Sequence, residues 1–375
     1  MTIQEFIEEY CELGSYLQLV CNEHGQKLRL KNDTIEIPVN LVEDEIKIHE
    51  SQLGKLINGE EPDRIPNFKY LDTYGIKFKN YYEFCISIQS DDYDWLDGSH
   101  WKTEPLKFKI GSTQFEVGSI SSMMVLLTEP IHRVSHEHYD FFNFASIKMA
   151  ITSGLDYKNE FTKGIFYLNS CYLKPIHFYA QLKSIAFNND DPLELFSRDD
   201  PESFFKIAKR SRTIKRKDFI KCEPLNLYNY ATVVKGEQRF FAYYRVLEFF
   251  MEQAIIHRAK NLRTDLKISD EDLVKELCAR NEEEQLIILL KEVLSQSKKN
   301  KFLNYCQIKN IITQKKIENI ASALYKYRNS IVHAKERQIA NTNFPDPFDI
   351  NTKLHYWVYI VGELARECIM KFNTK

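Results

Sequence analysis

One short segment late in the sequence combines residue types that could cleave a phosphodiester. Arg328 is followed by Asn329 and, five positions after the arginine, by His333, in an R-N-x-x-x-H pattern. An imidazole can take up a proton near neutral pH, and a guanidinium is a fixed cation that can stabilise charge developing on a phosphate. Cleavage of RNA without a metal ion requires groups of these two kinds.

The surroundings of this motif distinguish it from a chance pairing. The helix predicted over 315–335 carries an apolar stripe of helical period, formed by Ile317, Ile320, Leu324 and Ile331. Arg328 continues this stripe and is therefore predicted to enter a helical bundle. Another Arg-x4-His pair, Arg133 and His138, falls in a predicted loop.

Two segments of the predicted bundle resemble a known family. YKYRNSIVHA in a late helix and RFFAYYRVLEFF in the first helix are similar to the HEPN superfamily of all-α domains, whose active members carry an arginine, a polar residue and a histidine in this pattern. The resemblance covers residues 228 to 372. It implies a metal-independent endoribonuclease without a cofactor, in which Arg328, Asn329 and His333 are catalytic. It also implies a homodimer that brings two motifs to one phosphate, and a toxin-like effector of bacterial anti-phage defence.

Helix geometry adds two expectations. Residues five apart on an ideal helix differ in direction by about 140°, so Arg328 and His333 share a face only where the helix bends or ends. Asn329 and His333 are four apart and share a face, so we expect Asn329 to orient the imidazole. Glu248 lies within the apolar stripe of the first helix, and we expect it to be at least half buried and paired with an Arg or His of a neighbouring helix.

Alternative interpretations stay open. His333 could be a helix-end histidine satisfied by a carbonyl, and Arg328 could be a buried partner of Glu248. The bundle would then be a non-catalytic HEPN-like module for RNA or nucleotide binding or for interaction. A hydrolase site in the first half, or a structural role in a larger complex, are further alternatives.

A histidine-rich segment in the first half is the other feature that could do chemistry. His132, His136 and His138 lie within seven residues, as ligands of a first-row metal can. No cysteine lies close enough to complete a ligand set, and a solvent-facing loop is the simpler interpretation. We therefore expect no metal site.

The charge of the chain is unevenly distributed. Residues 1–200 contain 19 Lys and Arg against 32 Asp and Glu, a net charge of −13, and residues 201–375 contain 32 against 21, a net charge of +11. A basic region is typical of a nucleic-acid partner, although attraction between the two halves is the alternative. The residues of the densest basic run are the candidate RNA-binding residues. These are Lys209, Arg210, Arg212, Lys215, Arg216 and Lys217. The alternative is that this run is a solvated helix face or an exposed linker.

The hydropathy pattern predicts an α+β protein of two domains. We expect a mainly antiparallel β-rich domain over 1–200 with a sensor or regulatory role, a basic linker over 201–227, and an all-α HEPN-like helical bundle over 228–375. Strands are predicted over 106–110 and 115–117, 74–88, 122–127 and 164–176. Helices are predicted after Gly236 and over 270–279, 282–297, 315–335 and 353–370.

Composition excludes several classes of protein. With 12 Gly and 11 Pro in 375 residues, the chain is neither collagen-like nor of low complexity. Its eight cysteines include no CxxC pair, which argues against a zinc knuckle or a thiol redox motif. No apolar run approaches the ~18 residues of a membrane helix. We expect a cytoplasmic protein whose partners are RNA, a second copy of itself and a phage-derived or nucleotide trigger, with no membrane.

Overall fold

A computed structural model describes residues 29–31, 34–49, 52, 65, 67–71, 75–90, 105–119, 121, 123–124, 145–172, 178–182, 214–264, 268–269, 271, 281–332 and 352–375. Contacts divide the chain into two compact units, residues 1–218 and 219–375. The described strands lie in the first unit, and most of the described helices lie in the second. The chain is therefore α+β, as predicted.

The described strands of the first unit form two sheets. The smaller sheet is antiparallel and contains β1 (Arg29–Lys31), β2 (Thr34–Val39) and β3 (Asp44–His49). The larger sheet contains β4 (Phe68–Leu71), β5 (Gly75–Phe78), β6 (Tyr81–Ser90), β7 (Leu106–Ile110), β8 (Thr113–Ser119), β9 (Ala145–Ala150), β10 (Phe178–Leu182) and β11 (Ile214–Arg216). Its strand order is β11-β7-β8-β9-β6-β5-β4, and β10 also pairs with β6. Neighbours are antiparallel except β7 and β11, which are parallel.

The strand pair predicted over 106–117 is confirmed, and its alternation explains the core. Phe108 on β7 lies opposite Phe115 on β8, and their stacked rings are 4.8 Å apart between centroids. Both rings are buried, whereas Lys107, between two inward residues, is exposed. The predicted run over 74–88 is likewise confirmed as the β5–β6 hairpin. Period-two patterning was therefore a sound guide where one face of a strand is buried.

The strand predicted over 164–176 is wrong within the described residues. Tyr157–Tyr167 forms helix α1, and Leu168–Tyr172 continues it as a π-helix. The side chain of Asp156 caps α1 by accepting from the Lys158 N–H, which favours a helix here. Gly164 faces the sheet so closely that a Cβ atom there would lie 2.7 Å from Phe115 Cε1. Aromatic and β-branched residues of this segment pack on the sheet from a helix, and composition alone suggested a strand.

The strand predicted over 122–127 is also wrong at the two positions that can be checked. Met123 and Met124 lie in a helical turn, and the other residues of that run fall outside the described part of the chain. Ser121 Oγ accepts a hydrogen bond from the Met124 N–H at 3.0 Å, as a helix-capping serine does. The cap overrides the strand propensity of the residues that follow.

Part of the predicted basic linker belongs to the first unit. β11 pairs in parallel with β7, so residues 214–216 complete the larger sheet. Asp218 then accepts from Lys163 of α1, with Nζ and Oδ1 2.8 Å apart, and Lys163 Nζ also lies 2.7 Å from Glu160 Oε1. Both Lys163 and Glu160 are buried. This ion-pair network anchors the end of the first unit to its helix.

The boundary at residue 218 reduces the charge asymmetry of the chain. Residues 1–218 contain 26 Lys and Arg against 34 Asp and Glu, a net charge of −8, and residues 219–375 contain 25 against 19, a net charge of +6. The densest basic run therefore lies in the same unit as the sheets, where it offsets part of their acidity.

The described helices of the second unit are α2 (Glu223–Val233), α3 (Gly236–Arg263), α4 (Glu282–Val293), α5 (Gln296–Ile308), α6 (Ile317–Val332) and α7 (Thr352–Phe372). Of these, α3, α4, α6 and α7 confirm predicted helices, while the helix predicted over 270–279 lies almost wholly outside the described residues. Helices α2 and α5 were not predicted from the sequence. Pro224 near the start of α2 looks like a helix breaker but is tolerated in a first turn, and α5 buries only Leu303 and Cys306.

Helix α3 is the centre of the second unit. It packs most extensively against α7, α2 and α4, and its inward residues, such as Phe240 and Leu247, are fully buried. Gly362 allows α7 to approach closely, because a Cβ atom there would lie 3.2 Å from Tyr243 Cε2. Within the described residues, none of the helices has the length and apolarity needed to span a membrane.

Candidate active site

Helix α6 presents the motif from a buried face. Ile317, Ile320 and Leu324 are buried three and four residues apart, and Arg328 follows Leu324 by four. The Arg328 side chain is consequently directed among the neighbouring helices and is only 23% exposed. The described part of α6 ends at Val332.

Arg328 contacts two carboxylates from two other helices. Its Nη2 lies 3.6 Å from Glu248 Oε1 on α3, and its Nε lies 3.8 Å from Glu282 Oε1, on the first residue of α4. The Glu248 side chain is 39% exposed. The expected arginine from a neighbouring helix is therefore confirmed, whereas Glu248 stays accessible to solvent although more than half of its side chain is covered.

The side chain of Asn329 is hydrogen-bonded to that of Arg328. The Arg328 Nη1 donates a hydrogen bond of 3.0 Å to Asn329 Oδ1. The spacing of four residues predicts that this amide orients His333, which directly follows the described part of α6 and lies outside the described residues. That orientation stays a prediction, and the amide oxygen has a role beside Arg328 that was not foreseen.

Tyr244 and Glu282 also surround Arg328, and neither was predicted from the sequence to have a role at the site. The Tyr244 hydroxyl donates to Glu282 Oε1 at 2.7 Å, and the Arg328 guanidinium lies 5.9 Å from the centroid of the Tyr244 ring. Burial, followed by the hydrogen bond to Glu282, raises the pKa of Tyr244 well above its usual value, so this hydroxyl remains a donor. Tyr244 thus orients the carboxylate that faces Arg328.

One signal in the sequence could have identified Tyr244. It precedes Glu248 by four residues on α3, so the two share a helix face. Glu282 gave no comparable signal, because its approach to Arg328 depends on how α4 packs against α6.

Two carboxylates, those of Glu248 and Glu282, lie close to the single guanidinium of Arg328. Burial, followed by the charge of Glu282, raises the pKa of Glu248, while Arg328 and Arg245 act in the opposite direction. Glu248 therefore takes up a proton more readily than an ordinary glutamate. When it does, Arg328 loses one of its two carboxylate partners and becomes more available to another anion.

The structure describes only part of the predicted RNA-binding run. Lys209, Arg210 and Arg212 lie outside the described residues. Lys215 and Arg216 belong to β11 and Lys217 follows it, in the first unit. The Arg216 guanidinium lies 5.3 Å from the centroid of the Tyr167 ring, a contact within that unit.

A second imidazole of the helical unit has a carboxylate partner. His257 Nδ1 on α3 lies 2.7 Å from Glu292 Oε2 on α4, which is 8% exposed. Arg258 and Lys371 lie 3.7 and 4.0 Å from the same carboxylate. These groups lie in the last two turns of α3, α4 and α7. Cations near the carboxyl end of a helix offset the partial negative charge at that end. We interpret His257 as structural, which makes it a useful control for His333.

Within the described residues, no group of three or more His, Cys, Asp or Glu side chains is arranged to hold a metal ion. The histidine-rich segment with His132, His136 and His138 lies outside them. The comparisons with known proteins add nothing to these contacts: no protein-family model, no curated protein and no solved structure matches the chain.

Proposed function

We propose that the chain is a metal-independent endoribonuclease of the HEPN type, with Arg328, Asn329 and His333 as its catalytic residues. The observation that carries this proposal is the bonding of Arg328. Its side chain is mostly buried, yet within the described residues it donates one hydrogen bond, to Asn329, and its carboxylate contacts are longer than hydrogen bonds. A guanidinium has five N–H donors, so these contacts with described residues leave donors for a further acceptor, and a phosphate matches their geometry.

The proposed reaction begins with the 2′-hydroxyl of the substrate. His333 removes its proton, the 2′-oxygen bonds to phosphorus, and the bond from phosphorus to the 5′-oxygen breaks as that oxygen takes up a proton from water. The products are a 2′,3′-cyclic phosphate and a 5′-hydroxyl. Arg328 stabilises the negative charge that builds up on the phosphorane oxygens, while Glu248, Glu282 and Tyr244 hold the guanidinium in place.

Chelator resistance and product ends test this chemistry directly. Purified protein incubated with total cellular RNA in excess chelator is expected to cleave it and to leave 2′,3′-cyclic phosphate ends. Neither His333 nor Arg328 needs a metal ion to act. Cleavage that stops with chelator and leaves 3′-hydroxyl ends would point to metal chemistry instead.

We also propose that the active form is a homodimer joined through the helical unit, so that two motifs meet one phosphate. Two Arg328 side chains near one axis repel each other, so apolar faces have to hold the dimer together. Exposed apolar side chains of this unit, such as Ile256 on α3 and Met370 on α7, are available for this. Light scattering is expected to give twice the 44.4 kDa of one chain, at low and at high salt. An active protein that is strictly monomeric would contradict the proposal.

The first unit is proposed to regulate the nuclease in response to a phage-derived or nucleotide trigger. A polar groove of about 520 Å³ in this unit offers a place for a small ligand, and its lining includes Asn80, Lys107, Gln114, Glu116 and Thr152. The resemblance to HEPN effectors supports a toxin-like role in bacterial anti-phage defence, in the cytoplasm. Overexpression of the chain is accordingly expected to arrest growth.

A non-catalytic HEPN-like binding module is the second candidate, and one observation favours it. Arg328 links α6 to α3 and α4 through two carboxylates, and such contacts can be purely structural. Under this alternative the purified protein binds RNA or a nucleotide without cleaving it, and overexpression does not arrest growth.

A further inference from the structure

The excess positive charge of the helical unit is concentrated in one segment. Residues 219–375 carry a net charge of +6, from 25 Lys and Arg against 19 Asp and Glu. Residues 294–316, which contain α5 and the turn after it, include six Lys, no Arg and no Asp or Glu. The rest of the unit is therefore neutral on balance.

Helix α5 places lysines where the helix itself disfavours them. Lys298 and Lys299 lie in its first turn, which contains no acidic residue, although the partial positive charge at that end repels cations. Lys298 pairs with Glu367 on α7, whereas Lys301 makes no ion pair with any residue that the structure describes. Local choices that oppose the stability of a helix are typical of segments kept for binding.

Aromatic rings lie beside these lysines. The Tyr305 ring on α5 and the Tyr359 ring on α7 are 4.8 Å apart between centroids. The Lys309 ammonium lies 4.7 Å from the centroid of Tyr356. All three tyrosines are only partly buried. We call this surface the lysine–aromatic face, formed by Lys298, Lys301, Tyr305, Lys309, Tyr356 and Tyr359.

A cavity of about 230 Å³ opens within this face, and its lining includes Lys298, Lys301, Phe302, Tyr305 and Tyr359. Arg366 also lines it, together with Glu363 and Glu367, and Arg366 pairs with both of these carboxylates. The volume is below the ~300 Å³ at which pockets for drug-sized ligands begin, so it suits one flat ring system rather than a whole nucleotide. Rings on which bases stack, beside cations that contact phosphates, are the combination by which proteins hold single-stranded nucleic acids.

We infer that the lysine–aromatic face binds single-stranded RNA, with one base in the cavity and phosphates along the lysines. The inference rests on the proposed function and locates a substrate-binding surface for it. Glu282, which contacts Arg328, begins the 12-residue helix α4, and Leu294, which lines the cavity, directly follows that helix. At ~1.5 Å per residue the two ends of α4 are about 18 Å apart, a distance that about five stacked nucleotides span.

The test measures binding of a single-stranded 2′-O-methyl oligouridine to the full chain at several salt concentrations. The probe has no 2′-hydroxyl that could attack phosphorus, so the result does not depend on whether Arg328 is catalytic. The variant Lys298→Ala/Lys301→Ala is expected to reduce the slope of log affinity against log salt by about 1.4, from ~0.7 for each lost phosphate contact. Tyr305→Ala is expected to weaken binding roughly 5- to 150-fold, whereas Tyr305→Phe keeps the ring and binds like the wild type.

Matched controls remove the same groups elsewhere in the helical unit. Lys235→Ala/Lys260→Ala and Tyr230→Ala change exposed residues outside the face and are expected to bind like the wild type. Equal losses in controls and face variants, wild-type affinity in both face variants, or no binding by the wild-type chain would each overturn the inference. If the face variants instead convert a dimer to a monomer without changing RNA affinity, the face is an interface between copies and the inference is wrong.

Discussion

RNA cleavage by the His333→Ala protein is expected to fall by at least about 100-fold, because no other group in the motif can take the 2′-hydroxyl proton. Arg328→Ala is expected to cost about 100- to 1,000-fold, as loss of a group that stabilises developing charge does. Growth arrest on overexpression should disappear in both variants. The measurement is the initial rate of cleavage of a labelled RNA in excess chelator.

Two matched variants make this result specific. His257→Ala removes an imidazole from the same unit, and we expect it to retain cleavage because His257 is paired with Glu292 near helix carboxyl ends. Arg328→Lys keeps the charge but not the forked guanidinium, so its cleavage should lie below that of the wild type. Wild-type activity in a folded His333→Ala protein, or loss of activity in His257→Ala alone, would rule out the proposed site.

Replacing Lys163 by alanine is expected to lower the free energy of unfolding of the first unit by about 3–5 kcal/mol, the usual cost of removing one partner from a buried ion pair. Glu160 is 2% exposed and would be left as an uncompensated buried carboxylate. Burial lowers the pKa of Lys163, but the hydrogen bonds to Asp218 and Glu160 outweigh it and raise the pKa overall, so the ammonium is charged. Chemical denaturation of the full chain, followed by a probe of the first unit, measures the change.

The control for this prediction is Lys158→Ala on the same helix. Lys158 is exposed, so its loss should change stability by no more than about 0.5 kcal/mol. The double variant Lys163→Met/Glu160→Leu should recover much of the loss, because an apolar pair of similar volume removes the unpaired charge. Equal stability of Lys163→Ala and Lys158→Ala would show that the network is not a stabilising contact.

The parts of the fold that the sequence predicted are those with local periodicity. The β7–β8 hairpin and helices α3, α6 and α7 each bury one face, and that face repeats every two or every three to four residues. The parallel pairing of β11 with β7 could not be predicted, because it joins segments about 100 residues apart and three residues carry no usable pattern. Helix α1 was missed because a side-chain cap and the space beside Gly164 decided its structure.

The candidate site divides in the same way. Glu248 was identified because a charge within an apolar stripe requires a partner, and Arg328 was identified because it continues such a stripe. The contact of Glu282 with Arg328 depends on how separate helices converge. The hydrogen bond between Arg328 and Asn329 depends on a rotamer. Spacing along the chain specifies neither of them. A carboxylate at the start of a helix is ordinarily explained by the helix dipole, which conceals its second role here.

The late position of β11 has a consequence for synthesis on the ribosome. At about 5–20 residues per second, the edge of β7 waits about 5–20 s for the strand that covers it. An uncovered strand edge can pair with another chain, so the nascent first unit is exposed to misassembly during that interval. A chain truncated before residue 214 lacks β11, so the edge of β7 stays uncovered. A chain that ends after Asp218 keeps β11 and the ion pair between Lys163 and Asp218. Gene fusions and fragments that separate the two units are therefore best joined at 218–219.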